Sequence, residues 1–145
     1  MREYISLAQL LMRVKGAVAE ALPGPVWVKA EIHELRIHGN GHCYMELVEK
    51  GSGRDVFSAK VSAVIWRSRR ALVEAAFYQG TGRRLEAGMT VLVQVRVQYS
   101  ELYGMSLSVE DIDPAFTLGE VELARQRTLE RLSREGLLEL NKALP

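Results

Sequence analysis

The chain has 145 residues, the size of one domain with room for an appendage. Its 48% hydrophobic and 26% charged content excludes a wholly disordered chain, and the length suffices to bury a core without staples. The single cysteine, Cys43, excludes an internal disulfide framework, and the formal net charge is only +1.

No apolar stretch approaches the roughly 18 residues that span a bilayer. The opening Met1-Arg2-Glu3-Tyr4 carries an early acid, and no small-residue cleavage site follows an apolar run, which predicts a cytoplasmic location. The charge is unevenly spread. Residues 60–84 carry Lys60, Arg67, Arg69, Arg70, Arg83 and Arg84 against Glu74 alone, whereas residues 101–145 hold nine acids and five bases. The basic middle is either a solvated helix face or a patch for a polyanion.

In chain order, Ser6 and Gln9 form a capping box, and Leu7, Leu10, Leu11, Val14 and Val18 trace one helical stripe, so a helix is expected over about 7–21. Pro23-Gly24-Pro25 ends it. The period then becomes two. Val26, Val28, Ala30 and Ile32 alternate with Trp27, Lys29, Glu31 and His33. The apolar phase shifts near Glu34, because Leu35 and Ile37 fall on odd positions, which predicts a β-bulge in a bent first strand. Gly39-Asn40-Gly41 is a turn. The second strand puts Cys43, Met45 and Leu47 on one face and His42, Tyr44 and Glu46 on the other. Lys50 to Asp55 is a polar turn, and a third strand follows at about 56–62.

A helix is expected over about 63–78, with Ile65, Leu72 and Ala76 on one side, Trp66, Val73 and Phe77 on the next, and Gly80-Thr81-Gly82 as its stop. The fourth strand alternates Val91, Val93, Val95, Val97 and Tyr99 with Leu92, Gln94, Arg96 and Gln98. A turn near Tyr103-Gly104 leads to a fifth strand carrying Met105, Leu107 and Val109, closed by Asp113-Pro114. Thr117 and Glu120 read as a second capping box for a charged last helix running to about Glu135, before Gly136. The tail from Leu137 to Pro145 shows no period.

A mainly β chain with flanking helices, ordered helix, three strands, helix, two strands, helix, is the layout of the OB-fold, a five-stranded, partly open Greek-key barrel. Residues 1–23 then form an N-terminal helix, 24–115 the OB domain, and 116–145 a helical linker toward a further domain.

A catalytic constellation is absent from the pattern. Gly80-Thr81-Gly82-Arg83 lacks the lysine and preceding strand of a phosphate loop, and there is no HExxH, GxSxG or CxxC. His33, His38, His42 and Cys43 match no zinc spacing, and His42 and Cys43 should point to opposite faces of a strand, so neither a metal site nor a cofactor is expected. Single-stranded nucleic acid needs cations for phosphates and flat side chains for bases, and OB-folds present both on the second and third strands and their loops. The candidates are Arg36, Lys60, Arg67, Arg69 and Arg70 for phosphates and His42 and Tyr44 for bases, with His38 in the same outward binding set. Trp66 is ambiguous between stacking platform and barrel core. A protein-docking OB module, or the OB domain of a synthetase, helicase or polymerase, are the alternatives.

At these residues the sequence resembles the N-terminal segment of the large subunit of bacterial exodeoxyribonuclease VII. The matching stretches are Leu22-Pro23-Gly24-Pro25-Val26-Trp27-Val28 into Ala30-Glu31-Ile32, Gly39 through Leu47, Ile65-Trp66-Arg67, and Leu85 through Met89. Leu102-Tyr103-Gly104, Glu110 through Pro114, Gly136-Leu137-Leu138 and Leu144-Pro145 follow in the same order. Ala30, Met45, Val48 and Leu138-Glu139 stand where the family usually has other residues. The resemblance implies an enzyme that degrades single-stranded DNA from both ends without a metal. It also implies a catalytic domain beyond Pro145, and a small subunit bound through regions outside this segment. On that footing this chain supplies substrate binding, and no residue of it takes a catalytic role.

Overall fold

The computed structural model describes residues 1–51 and 56–143. Helix α1 spans Leu7–Ala21 and is capped as its sequence requires: Gln9 N donates to Ser6 Oγ at 3.1 Å, and Ser6 N donates to Gln9 Oε1 at 2.9 Å. Its stripe does not find a core. No α1 residue is buried, and Leu7, Leu10, Met12 and Val14 stay exposed. The reason is that the barrel interior is already filled by its own strands and by α2.

Strand β1 (Val26–Ile37) serves both sides of the barrel. Its first half pairs with β4 (Thr90–Ser100), and its second half with β2 (Cys43–Lys50). The expected bulge lies between Ile32 and Glu34. It lets Ile32 and Leu35 both reach the core while His33 and Glu34 both face out. The turn before β2 closes through Gly41 N to the His38 carbonyl (2.9 Å), with Gly41 at φ 88°. Of the polar turn expected over 50–55, residues 52–55 lie outside the described residues.

Two boundaries differ from the sequence expectation. Strand β3 runs Phe57–Ile65 rather than stopping near 62, and α2 begins at Arg67 and ends at Thr81. Ala63, Val64 and Ile65 pair with Met45, Tyr44 and Cys43, and all three are buried. Pairing and burial across a pleated surface outweigh the helix propensity of an Ala-rich window. Ile65 is thus a strand residue, Leu72 is exposed, and only Val73 and Phe77 of α2 enter the core. Gly82, left-handed at φ 70°, caps the helix.

Strands β4 and β5 (Gly104–Ile112) form the last hairpin, and β5 runs parallel to β3 through Ala63–Leu107 and Val64–Ser108. The order β1-β2-β3-β5-β4 closes on itself, so the barrel is closed rather than partly open, with β3 and β5 joined at only two residue pairs. Its core holds Ile32, Leu47, Val91, Val93, Val95, Val109 and Phe77. Leu107 and Val109 are buried, whereas Met105, which pairs with Tyr99 at the far end of the hairpin, is exposed. Cys43 is buried, and that burial, with Glu74 nearby, raises its thiol pKa against the opposing pull of Arg70; it packs rather than reacts.

Helix α3 spans Pro114–Ala143. Its cap is not the expected Thr117–Glu120 box. Asp113 Oδ1 accepts from Ala115 N (2.9 Å) and Phe116 N (3.4 Å), with Pro114 in the first helical position, where a missing N–H costs nothing. Thr117 lies inside the first turns, buried, and its hydroxyl finds no hydrogen-bond partner among the described residues. The helix also passes Gly136, since one glycine costs only about 1 kcal/mol against alanine. No helix among the described residues is long and apolar enough to cross a membrane.

Gly80 sits against α3: a Cβ built there would lie 2.4 Å from Pro114 Cβ. Gly80→Ala should therefore force α2 and α3 apart and cost about 1–3 kcal/mol, read as a lower denaturant midpoint at unchanged slope. Asp113→Ala should cost about 1 kcal/mol through the lost cap, whereas Glu120→Ala should leave the same midpoint within about 0.5 kcal/mol.

Candidate nucleic-acid interface

Because paired residues on adjacent strands share a face, the register defines a row on the outer surface. Arg36 (β1) pairs with Tyr44 (β2), Tyr44 with Val64 (β3), Val64 with Ser108 (β5), and Ser108 with Arg96 (β4). At about 4.8 Å per strand this row spans roughly 20 Å along the curved surface. It has a cation at each end and an aromatic residue within it.

Around Tyr44 the rings are contiguous. His38 meets Tyr44 edge-on with centroids 4.5 Å apart, His42 lies 6.3 Å from Tyr44, and His42 meets Trp66 at 4.9 Å. Tyr44 and Trp66 are each more than a third exposed. Trp66 is not inside the barrel. It follows the last residue of β3, and its indole Nε1 donates to Ser108 Oγ at 2.9 Å, which lays the ring along the outer face beside the buried Val64 and Ser108.

His42 has a second task. Trp66, at the N-cap of α2, supplies no side-chain cap, and Arg67 N donates instead to His42 Nδ1 at 2.9 Å. That bond fixes the acceptor nitrogen and holds the imidazole against Trp66. The Asn40 side chain in turn accepts from His42 N at 3.0 Å.

The cations surround these rings in different states. Arg36 Nη2 pairs with Glu34 at 3.0 Å in solvent, and Lys60 Nζ pairs with the partly buried Glu46 at 3.3 Å. Lys60 sits mid-strand rather than near the end of the strand expected at about 56–62, because β3 runs on to Ile65. Arg67 has no ion pair among the described residues, and its stem crosses Gly41, where a Cβ would lie 2.6 Å from Arg67 Cδ. Arg69 reaches the Glu110 carbonyl at 3.3 Å. Arg70 is the most committed: its Nε binds Glu74 at 2.7 Å, its Nη1 binds the Gly41 carbonyl at 3.0 Å, and the Glu74 bond raises its pKa further. The structure thus brings Arg36, His38, His42, Tyr44, Lys60, Trp66 and Arg67 to the barrel face. Arg69 stands toward β5, and Arg70 is tied to the β1–β2 turn.

Sequence reasoning missed Arg96 and Ser108. The period-two pattern of β4 already put Arg96 outward, but only the β3–β5 and β4–β5 registers put it in line with Tyr44. Arg96 pairs with Glu110 at 2.5 Å.

A family model described as an OB-fold nucleic acid binding domain matches residues 5–113. The exodeoxyribonuclease 7 large subunit of Deinococcus radiodurans is 37% identical over 99% of this chain and 35% of its own length. Those of Alkaliphilus oremlandii and Pseudomonas fluorescens are 29% and 28% identical, over 90% and 99% of this chain, and each is covered over 28% of its length. The chain therefore spans about a third of the length of the relatives it matches. The chain belongs to the family of OB-fold nucleic acid binding domains, and is homologous to the N-terminal region of the exodeoxyribonuclease VII large subunit.

Proposed function

We propose that this chain is a single-stranded DNA-binding module that presents substrate to a catalytic domain outside these residues, as part of an exodeoxyribonuclease VII-type large subunit. The observation that carries this reading is the row Arg36–Tyr44–Val64–Ser108–Arg96 with His38, His42 and Trp66 grouped around Tyr44. Flat side chains stack bases whatever their sequence, and cations on either side hold the phosphates. A duplex hides its base faces, so this surface favours single strands. In this proposal residues 24–115 are the binding unit, and 1–23 and 116–145 are appendages. The parent enzyme's small subunit docks elsewhere, and the protein works in the cytoplasm.

One observation favours a protein-docking role instead: the exposed apolar stripe of α1, with Leu7, Leu10 and Val14. A fluorescence titration with labelled oligonucleotides separates the two. Single strands should bind more tightly than duplex of equal length, with a log–log salt slope of roughly −2 to −3 for three or four phosphates. Equal affinity for duplex, or no salt dependence, counts for docking.

Tyr44→Ala should weaken single-strand binding by about 1–3 kcal/mol and leave the salt slope nearly unchanged. If the ring serves packing alone, the melting temperature falls and the affinity of the folded protein does not. Replacing Arg36, Lys60 and Arg67 together by alanine should weaken all oligonucleotides alike and flatten the slope by about 2. An unchanged slope would place the phosphate path elsewhere.

A further inference from the structure

The β1 bulge sets His33 and Glu34 together on the outer face, and the register places Glu34 directly opposite Glu46. Like charges directly opposite each other on a sheet destabilise it. Each carboxylate is held by one oxygen only. Glu34 Oε2 accepts from Arg36 Nη2 at 3.0 Å, while Glu46 Oε1 faces Lys60 Nζ at 3.3 Å and His33 Nε2 at 4.0 Å. Among the described residues the other oxygen of each makes no hydrogen bond or ion pair. Both residues line a shallow depression of about 300 Å³ together with Arg36, His38 and Tyr44.

A paired carboxylate edge repels phosphate, so a strand crossing this depression keeps its backbone toward the cations and turns a base edge inward. Ionised carboxylates only accept hydrogen bonds, so the base they tolerate must donate. Guanine offers two adjacent donors, N1–H and the N2 amino group. Adenine and cytosine each set one amino group beside an acceptor nitrogen, and thymine flanks its single N–H with two carbonyls. We infer that Glu34 and Glu46 form a base-reading subsite beside Tyr44 that prefers guanine. This rests on the single-strand reading above and adds to it a choice among bases.

The test compares labelled oligothymidylates of about 12 nucleotides, inside the span an OB-fold covers, with and without one central guanine. The guanine-bearing strand should bind about fivefold more tightly or better. Hypoxanthine in its place, which lacks the N2 amino group, should lose most of that gain. The Glu34→Gln, Glu46→Gln double variant should bind oligothymidylate at least as well as the parent, keep its melting temperature, and show no guanine gain. Equal affinities for the two strands in the parent, the same gain from adenine or cytosine, or a gain that survives in the double variant would each overturn the subsite while leaving single-strand binding intact. Binding to none of the oligonucleotides would overturn both.

Discussion

Two residue pairs, Ala63 with Leu107 and Val64 with Ser108, join β3 to β5 in parallel and close the barrel. The interior depends on this seam, because it completes the wall around Val93, Val95 and Phe77. The outer face depends on it as well. Without it Ser108 and Arg96 would not continue the row that starts at Arg36, and the Trp66 indole would have no anchor. The seam joins elements more than forty residues apart in sequence, so forming it carries a loop-closure cost that only two residue pairs repay directly.

His42 ties that surface to the helix behind it. Its Nδ1 accepts the first free N–H of α2, and its ring meets Trp66 and Tyr44. A helix N-terminus leaves unsatisfied donors that something must accept, and here the acceptor comes from the β1–β2 turn rather than from the residue at the cap. One side chain therefore contacts the start of α2 at Arg67 N and both rings of the aromatic group.

The electrostatics of the face are those of exchange rather than of a bare basic patch. Arg36, Lys60 and Arg96 each have a carboxylate partner. The Arg36–Glu34 pair is exposed on both sides and contributes about 0–1 kcal/mol, so a phosphate can replace that carboxylate at small cost, whereas Glu46 and Glu110 are partly buried and hold Lys60 and Arg96 more firmly. The acids also keep the overall charge near neutral, which limits nonspecific attraction of any polyanion.

Local chemistry was legible in the sequence wherever neighbours along the chain decide the structure. The Ser6–Gln9 box, the bulge before Glu34, the alternation of β4 and the αL glycine after α2 all depend on residues within a few positions of each other. Five strands with a helix after the third left few topologies, and the OB barrel was among them. The remainder needed partners from afar. The extent of β3 was set by Cys43, Tyr44 and Met45 opposite it, not by the composition of residues 63–65. The α3 cap went to Asp113 rather than Thr117 because the end of β5 and Gly80 of α2 fix where Pro114 must sit. Trp66 went to the outside because Ser108 offered its indole a partner there. Periodicity assigns a residue to a face of its own element; which elements adjoin, and so which side chains meet, is decided only when the barrel closes.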